Sequence, residues 1–427
     1  MNIQFLLEAI DAGKTDNPLG ILYGTSPEVL QTQRLRYQRA IRRFAEIFPG
    51  RDDVQLFSAP GRTEIGGNHT DHQHGCALAA AVNLDVIAVV AFHDEGVIRL
   101  YSEGHGSDEL DLSDLSIHED EKGRSASMIR GIVARFAEMG VKVGGFDAFS
   151  TSDVLSGSGL SSSAAFETLV GSIINIKYND CKANEAEIAK IGQYAENVYF
   201  GKGSGLLDQM VCSVGGFVFL DFRDTGNPIV EKHSFDFTAA GYSLCITDTK
   251  GSHSDLTDDY VAVPGEMKSV AACFGKEVLR EVDEKEFFAA IPALREKCSD
   301  RAILRAMHFF KENDRAVAEA DALDRGDTER FFALYRQSAE SSANLLQNLY
   351  STKKPLEQAI PLALAVSRII LGENANARVH GGGFAGTIQA FVPLDKTEAY
   401  REKMDALFGA GSCYVLRIRP VGGIKIV

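Results

Sequence analysis

The 427-residue sequence is short of basic residues: 44 lysines and arginines stand against 59 acidic residues, which gives a net charge of −15. Because neutralising nucleic-acid phosphates requires a basic footprint, this balance argues against nucleic-acid binding, although a small phosphate-bearing ligand needs only a local patch. No apolar run approaches the roughly 20 residues that span a bilayer. The N-terminal stretch MNIQFLLEAIDAGK also lacks the basic region of a signal peptide. We therefore expect a cytoplasmic protein without a nucleic-acid or membrane partner.

The chain also lacks the cysteine pattern of a small disulfide scaffold. Its seven cysteines are scattered, odd in number and without a CxxC motif, so we expect reduced thiols. With 45% hydrophobic and 24% charged residues, the composition is that of a globular protein. A chain of this length is long for a single core, and we expect two domains of roughly 200 residues each.

Helical and strand-like segments follow one another without the regular alternation of a βαβ protein, which predicts an α+β fold. The first 50 residues are predicted to be helical, and DVQLFSAPG follows as a short strand closed by Pro60 and Gly61. Periodicity predicts that residues 300–371 are almost wholly helical. A change of texture near residue 225 predicts an N-terminal domain, residues 1–225, and a C-terminal domain, residues 226–427.

A glycine- and serine-rich segment, DVLSGSGLSSSAAFETL at 153–169, is the most informative stretch. Gly157 and Gly159 allow close backbone approach, and Ser161–Ser163 lie where a helix begins. Because a helix N-terminus offers unpaired amides and a positive dipole end, it suits a phosphate group. A serine hydroxyl there can also bind Mg²⁺. The alternative is a flexible turn followed by a serine N-cap.

The usual nucleotide-binding motifs are absent. No Walker A sequence occurs, and GGGFAG at 381–386 satisfies G-x-G-x-x-G only formally. It precedes the strand-like TIQAFV instead of a helix, so it fails the structural context of a dinucleotide fingerprint. A bend between strands, or a loop that lets the backbone approach a ligand, fits this stretch better.

Two acidic residues lie in settings that admit a functional role. Asp208 follows a glycine-rich turn in GSGLLDQMVCSVGG and has apolar neighbours. It is either an ordinary helix N-terminal charge or a buried functional carboxylate that needs a cationic partner. Glu196, near the end of a helix in AENVYFG, is either a Mg²⁺ ligand or a solvated glutamate.

Three histidines and an aspartate are bunched in GRTEIGGNHTDHQHG, residues 61–75. A zinc site made by His69, Asp71, His72 and His74 is one interpretation, but bunched ligands without an HExxH motif match its spacing rules poorly. The other is a polar ligand site, in which His69 and Asp71 bind hydroxyl groups and Arg62 holds a phosphate oxygen or a carboxylate.

Taken in order, four segments resemble the galactokinase branch of the GHMP small-molecule kinases. APGRTEIGGNHTDHQHG resembles its sugar signature and GSGLSSSAA its phosphate-binding loop. AENVYFGKGSGLLDQM resembles the segment that ends in the catalytic aspartate, and ARVHGGGFAGTIQAFV the C-terminal glycine-rich motif. The similarity extends from about residue 20 to the C-terminus. It implies two α+β domains with the active site between them.

The resemblance also implies residue roles. Asp208 would be the catalytic carboxylate and Arg62 its cationic partner, while Ser163 and Glu196 would hold Mg²⁺. The residues that would contact the sugar are Asn68, His69, Asp71, Gly205 and Tyr260. The residues that would bind the ATP phosphates are Gly157, Ser158, Gly159, Leu160, Ser161, Ser162 and Ser163.

The sugar-facing residues depart from the family pattern. Asn68 stands where the family usually has glutamate, His72 where it has tyrosine, and TEIG replaces an asparagine-containing apolar stretch. We therefore predict an ATP-dependent sugar 1-kinase, acting on galactose as a monomer or weak dimer. The alternatives are a kinase for L-arabinose or N-acetylgalactosamine, a non-catalytic sugar sensor on the same fold, and a zinc hydrolase.

Overall fold

The computed structural model describes residues 1–154, 159–251 and 256–427. Three helices open the chain, as predicted for the first 50 residues: α1 (Ile3–Asp11), α2 (Asp16–Tyr23) and α3 (Pro27–Ile47). The Ser26 hydroxyl caps α3 by accepting a hydrogen bond from the Val29 amide, and Pro27 occupies the first turn, where no amide donor is needed. None of the helices in the described ranges is both long and apolar enough to cross a bilayer.

A large mixed sheet forms the centre of the molecule. Its strands are β1 (Gln55–Gly66), β2 (Cys76–His93), β3 (Val97–Ser102), β4 (Gly106–Asp111), β5 (Gly145–Ser152), β6 (Phe217–Asp221), β7 (Ile229–His233) and a C-terminal strand, β12 (Ile424–Lys425). The order is β12-β1-β2-β5-β3-β4, and β6 pairs with both β2 and β7. Two of these strands, β7 and β12, lie beyond residue 225.

The hairpin of β1 and β2 differs from the prediction in one respect. We expected β1 to end at Pro60 and Gly61, and this was wrong, because the strand continues to Gly66. The pairing with β2 shifts register between Pro60 and Arg62 and again between Glu64 and Gly66. Such bulges accommodate residues that an unbroken ladder would exclude, and they re-aim the side chains that follow.

Helices pack on the large sheet and enclose its core. They are α4 (Ser125–Glu138), α5 (Ser162–Tyr178), α6 (Glu185–Tyr194), which continues as a π-helical turn (Ala195–Phe200), and α7 (Leu207–Val214). The core between them contains Ile132 and Phe136 of α4, Leu169 and Ile173 of α5, and Phe146 of β5. This packing fixes the start of α5 and the start of α7 beside strand β1.

A second, smaller sheet has the order β11-β8-β10-β9. Its strands are β8 (Tyr242–Asp248), β9 (Asn376–Val379), β10 (Thr387–Pro393) and β11 (Cys413–Leu416). The remaining helices are α8 (Thr257–Ala272), α9 (Glu284–Leu294), α10 (Asp300–Asp324), α11 (Thr328–Ser341), α12 (Ala359–Leu371) and α13 (Thr397–Phe408). The helical region predicted at 300–371 is present, with an irregular stretch over 347–358. The α+β class is confirmed.

A buried carboxylate ties the two ends of the chain to the large sheet. Asp85 on β2 is fully buried and accepts hydrogen bonds from Tyr23 at 2.5 Å, Arg36 at 2.6 Å and Arg419 at 2.9 Å, and from Ser58. Burial raises the pKa of Asp85, but the two arginines and the hydroxyl donors outweigh it and hold the pKa below its ordinary value. The carboxylate therefore joins α2, α3, β1 and the C-terminal segment in one network.

We predict that Asp85→Asn lowers the free energy of unfolding by about 3–5 kcal/mol, because it removes the buried charge that Arg36 and Arg419 share and leaves Arg36 with only its ion pair to Asp153. Urea unfolding followed by circular dichroism measures this change. The matched control is Asp395→Asn at an exposed aspartate, which should alter stability by no more than about 0.5 kcal/mol. Equal stability of the two variants would contradict the network's role.

Candidate active site

The β1–β2 hairpin places two charged side chains on one face of the large sheet. Arg62 and Glu64 pair with Ala81 and Ala79 of β2, and alternation along a strand directs both to the same side. The alanines opposite them are small, so long side chains have room. Helix α7 packs on the same alanine face and brings its first turn over the hairpin.

Asp208, in the first turn of α7, forms a two-point ion pair with Arg62. The guanidinium donates from Nε to Oδ1 and from Nη2 to Oδ2, both at 2.8 Å, the bidentate geometry that arginine and carboxylate favour. The Ser161 hydroxyl also donates to Oδ2. Burial alone would raise the pKa of Asp208, but Arg62 and Ser161 outweigh it and hold the pKa below its ordinary value. The carboxylate is therefore ionised at neutral pH.

The segment before α5 locks onto the same ion pair. The Arg62 amide donates to the Leu160 carbonyl at 3.0 Å, and its guanidinium donates to the Gly159 carbonyl. Gly159 has a φ of +72°, a conformation that side chains oppose, and Ser161 also has a positive φ. Gly157 and Ser158, also predicted to bind phosphate, lie outside the described residues.

Helix α5 begins at Ser162, and its N-terminus points into a cavity that we call the larger cavity. Ser162 and Ser163 line this cavity of about 670 Å³, together with Phe166 one turn further on and Met128 of α4. Unpaired amides, a positive dipole end and an apolar wall together suit a ligand with a phosphate tail and an aromatic base.

A smaller polar cavity of about 220 Å³ lies beside Asp208. Seven residues predicted from the sequence line it: Arg62, Asn68, His69, Asp71, Glu196, Gly205 and Asp208. The structure therefore brings together residues of the histidine-containing stretch at 61–75 and of the segment that ends in Asp208. It adds Glu64 and Lys202, which we did not predict. His72, and Gly381 and Gly382 of the stretch GGGFAG, also line the cavity. Alternation from Arg62 along β1 was the signal in the sequence that could have identified Glu64.

His69 lies in the cavity wall as a neutral ring. Its Nε2 lies 3.0 Å from the Gly382 carbonyl, and since a carbonyl can only accept, Nε2 carries the proton. Burial lowers the pKa of His69 to about 4. The Nδ1 atom is therefore a hydrogen-bond acceptor, the property that a hydroxyl-binding residue needs.

Asn68 is fully buried, and its amide is engaged within the protein. Its Nδ2 donates to Glu64 at 2.8 Å and to the Gly381 carbonyl at 2.7 Å, while Oδ1 accepts from Asn348 at 2.9 Å. Both N–H groups are used in these contacts. The sugar contact predicted for Asn68 stays a prediction, and the described contacts give it a supporting position behind Glu64.

Tyr260 lies behind the loop GGGFAG, residues 381–386, which we call the glycine-rich loop. Its hydroxyl donates to the Gly383 carbonyl at 2.9 Å, and its ring stacks edge-on against Phe384. A side chain at Gly382 would collide with this ring. The tyrosine therefore supports the loop that supplies Gly381 and Gly382 to the cavity, and its predicted sugar contact stays a prediction.

Glu196 is buried in the π-helical turn at the edge of the cavity. Its carboxylate accepts from Lys202 at 2.8 Å and from Gln209 at 2.9 Å. Nearby Glu167 on α5 is buried with both oxygens lacking a hydrogen-bond partner, and burial and the charge of Glu196 raise its pKa. Of these two carboxylates, Lys202 bonds to Glu196 alone, and the raised pKa of Glu167 favours its protonated form.

The zinc interpretation requires several ligands at one point. Within the described ranges, no three His, Cys, Asp or Glu side chains converge in a way that could hold a metal ion. The Nε2 atom of His69 is instead occupied by the Gly382 carbonyl.

Comparison with known protein families agrees with these sites. The galactokinase galactose-binding signature matches residues 42–92, and the GHMP kinases N terminal domain matches residues 127–216. The first match covers the β1–β2 hairpin, and the second covers the start of α5, Glu196 and Asp208. Both therefore fall on the segments that form the two cavities.

Individual relatives extend the likeness over most of the chain. A galactokinase of Actinobacillus pleuropneumoniae serotype 5b is 32% identical over 370 residues, which cover 85% of this chain and 91% of the relative. A Streptomyces coelicolor galactokinase is 29% identical over 381 residues, 88% of this chain and 94% of the relative.

Solved structures share the fold. The crystal structure of Lactococcus lactis galactokinase complexed with galactose has a TM-score of 0.76 at 24% identity, covering 92% of this chain and 100% of the other. Methanococcus jannaschii mevalonate kinase has a TM-score of 0.61 at 15% identity, covering 87% and 99%. The predicted GHMP kinase-like fold is thus confirmed. The chain belongs to the galactokinase family of the GHMP kinases.

Proposed function

We propose that this protein is an ATP-dependent sugar 1-kinase that converts galactose to galactose 1-phosphate. The observation that carries the proposal is the position of Asp208. Its carboxylate lines the small polar cavity, and Ser161, which bonds to it, directly precedes the serines of the larger cavity. One carboxylate therefore lies beside both a sugar-sized site and a nucleotide-sized site.

The relatives support galactose as the substrate over the other sugars considered. The curated relatives are named galactokinases, and the Lactococcus lactis enzyme was crystallised with galactose. The paired Arg62 and Asp208 favour a catalyst over a non-catalytic sugar sensor, because sensing alone does not need an ionised carboxylate fixed at the junction of two cavities. Comparing turnover of galactose, L-arabinose and N-acetylgalactosamine tests the substrate assignment.

We propose a step for each of the paired residues. A sugar in the small cavity would present its anomeric hydroxyl to Asp208, which would orient the hydroxyl and accept its proton. The oxygen would attack the γ-phosphorus as the bond from that phosphorus to the β–γ bridging oxygen breaks and ADP leaves. Arg62 keeps Asp208 ionised and lies where charge on the transferring phosphoryl group would be stabilised. The amides at the start of α5 would bind the phosphates of ATP.

Mg²⁺ fits the donors beside this junction. Glu196 offers a buried carboxylate, Ser163 a hydroxyl, and Glu167 two oxygens without a hydrogen-bond partner, and oxygen donors of this kind suit a hard cation. We propose that Ser163 and Glu196 hold the ion. When bound, it neutralises charge on the β- and γ-phosphates.

We also propose that the protein acts in the cytoplasm as a monomer or weak dimer. Each of its seven cysteines is a free thiol, the state expected in a reducing compartment. Size-exclusion chromatography with light scattering tests the oligomeric state.

Asp208→Asn tests the catalytic role of this carboxylate. The amide preserves the shape of the side chain but cannot accept the proton, so galactose-dependent ADP release should fall by about 10²- to 10⁴-fold. ATP affinity measured by calorimetry should stay within about threefold of the wild-type value, since the larger cavity is unchanged. Asp120→Asn at an exposed aspartate is the control. Turnover of the Asp208 variant within threefold of wild type would reject the catalytic role.

Two neighbouring serines, Ser162 and Ser163, provide a test of the proposed Mg²⁺ site. Ser163→Ala removes the hydroxyl assigned to Mg²⁺, so the Mg²⁺ concentration for half-maximal activity should rise about tenfold, the effect of losing one ligand or its orientation. Ser162→Ala is the matched control, because Ser162 lines the same cavity but is not assigned to the ion. An equal shift in both variants would show that Ser163 has no special role in metal binding.

A further inference from the structure

Glu64 occupies a position in the small cavity to which no role has been assigned. It lies two residues after Arg62 on β1 and lines the same cavity as Arg62, Asp71 and Asp208. Its side chain is 12% exposed, so the carboxylate reaches the cavity without being freely solvated. A partly buried carboxylate of this kind needs hydrogen-bond donors.

The protein satisfies one carboxylate oxygen of Glu64 and leaves the other open. Oε1 accepts from Asn68 Nδ2 at 2.8 Å and from Arg378 Nη2 at 3.0 Å. Among the described residues, Oε2 receives no hydrogen bond, although it is not sealed from solvent as the buried unpartnered atoms are. The open oxygen is therefore an acceptor directed at whatever fills the cavity.

The donors on Oε1 are themselves fixed. Arg378 is almost fully buried and donates to the Ile65 carbonyl at 2.6 Å and to the Ser338 hydroxyl at 3.0 Å. Asn68 is held by Asn348 and the Gly381 carbonyl. Because neither donor can follow a moving carboxylate, Glu64 keeps one orientation and its free oxygen is preorganised.

Asp208, whose carboxylate is proposed to accept the anomeric proton, has no oxygen that the protein leaves open as it leaves Oε2 of Glu64. Both oxygens of Asp208 already accept from Arg62, and Oδ2 also accepts from Ser161. A polyhydroxylated ligand brings several O–H donors into the cavity, and each donor that loses water without gaining an acceptor weakens binding.

We propose that Glu64 is a specificity-determining residue, whose free carboxylate oxygen accepts a hydrogen bond from one non-anomeric hydroxyl of the sugar. The inference rests on the proposed sugar kinase function, since it assigns a contact within that substrate site. It makes Asn68 a positioning residue, which holds Glu64 and does not itself contact the sugar. The enzyme should have a lower kcat/KM for a sugar that lacks this one hydroxyl than for galactose.

The surroundings of Glu64 give the contact a pH dependence. Burial raises the pKa of Glu64 to about 7, against the lowering effects of Arg378, Asn68 and Arg62, and Asp71 raises it further. The charges of Glu319 on α10 and Tyr335 on α11 also interact with that of Glu64, and the ring of His380 accepts from the Glu64 backbone amide at 3.4 Å. The ionised, accepting form therefore becomes dominant as the pH rises through 7, and the protonated form dominates below it.

The test compares wild type with Glu64→Gln on galactose and on the monodeoxy galactoses that keep the anomeric hydroxyl. The glutamine oxygen can still accept from Asn68 and Arg378, which turns its NH₂ group toward the cavity and replaces an acceptor with a donor. We expect kcat/KM for galactose to fall about 10- to 100-fold, the effect of losing a charge-assisted hydrogen bond. For the deoxy sugar that lacks the hydroxyl bound by Glu64, wild type and Glu64→Gln should have kcat/KM values within about twofold of each other, because that contact is already missing.

The pH profile provides a second measurement on the same pair of enzymes. The ratio of kcat/KM between wild type and Glu64→Gln should rise by about tenfold from pH 6 to pH 8, since taking the ratio cancels the titration of ATP and of other groups. The ATP KM should not change. Glu109→Gln, at an exposed glutamate on β4 of the same sheet, is the matched control and should behave as wild type.

A loss of equal size on every deoxy sugar, or a ratio that does not change with pH, would overturn the assignment and leave the kinase proposal standing. If Glu64→Gln did not fold, the wild-type deoxy panel and pH profile would decide. A wild-type kcat/KM for galactose that does not rise through pH 7 would then reject it. Wild-type enzyme that turns over no galactose would refute the proposed function, and the inference with it.

Discussion

The ion pair between Arg62 and Asp208 is the interaction on which the rest of the site depends. It joins strand β1 to helix α7, and each partner also holds the segment before α5, Arg62 through the Gly159 carbonyl and Asp208 through Ser161. Three elements that are distant in sequence therefore meet at one carboxylate. An ionised group so enclosed persists only because a cation and hydroxyl donors surround it.

The fold keeps this junction in place from behind. The loop between β1 and β2, residues 67–75, is held by two side chains of α10. His308 Nε2 lies 2.9 Å from the Asn68 carbonyl, and Glu312 accepts from the Gly67 amide at 3.3 Å. The glycine-rich loop rests on Tyr260. Helices that lie beyond residue 225 thus position residues of the N-terminal sugar signature, and the cavity is built from both halves of the chain.

The sequence was informative where chemistry is local and uninformative where it depends on register. Arg62, Gly205 and Asp208 could be identified because the segments that contain them resemble galactokinase motifs, whereas the residue types alone left Asp208 open between a helix N-terminal charge and a buried carboxylate. The start of α5 was marked by its serines. The continuation of β1 through Pro60 to Gly66 could not be predicted, because bulges depend on the partner strand. Nor could the contacts that hold the Glu64 carboxylate be predicted, because one of them comes from Arg378, on a strand more than 300 residues later.

Phosphorus NMR of the reaction of wild-type protein with ATP, Mg²⁺ and galactose tests directly whether the anomeric oxygen attacks beside Asp208. We predict galactose-dependent formation of ADP together with a sugar phosphate whose phosphorus couples to the anomeric proton. This prediction would be contradicted by phosphate on another hydroxyl. Folded protein that binds ATP and releases no ADP with galactose would contradict it equally.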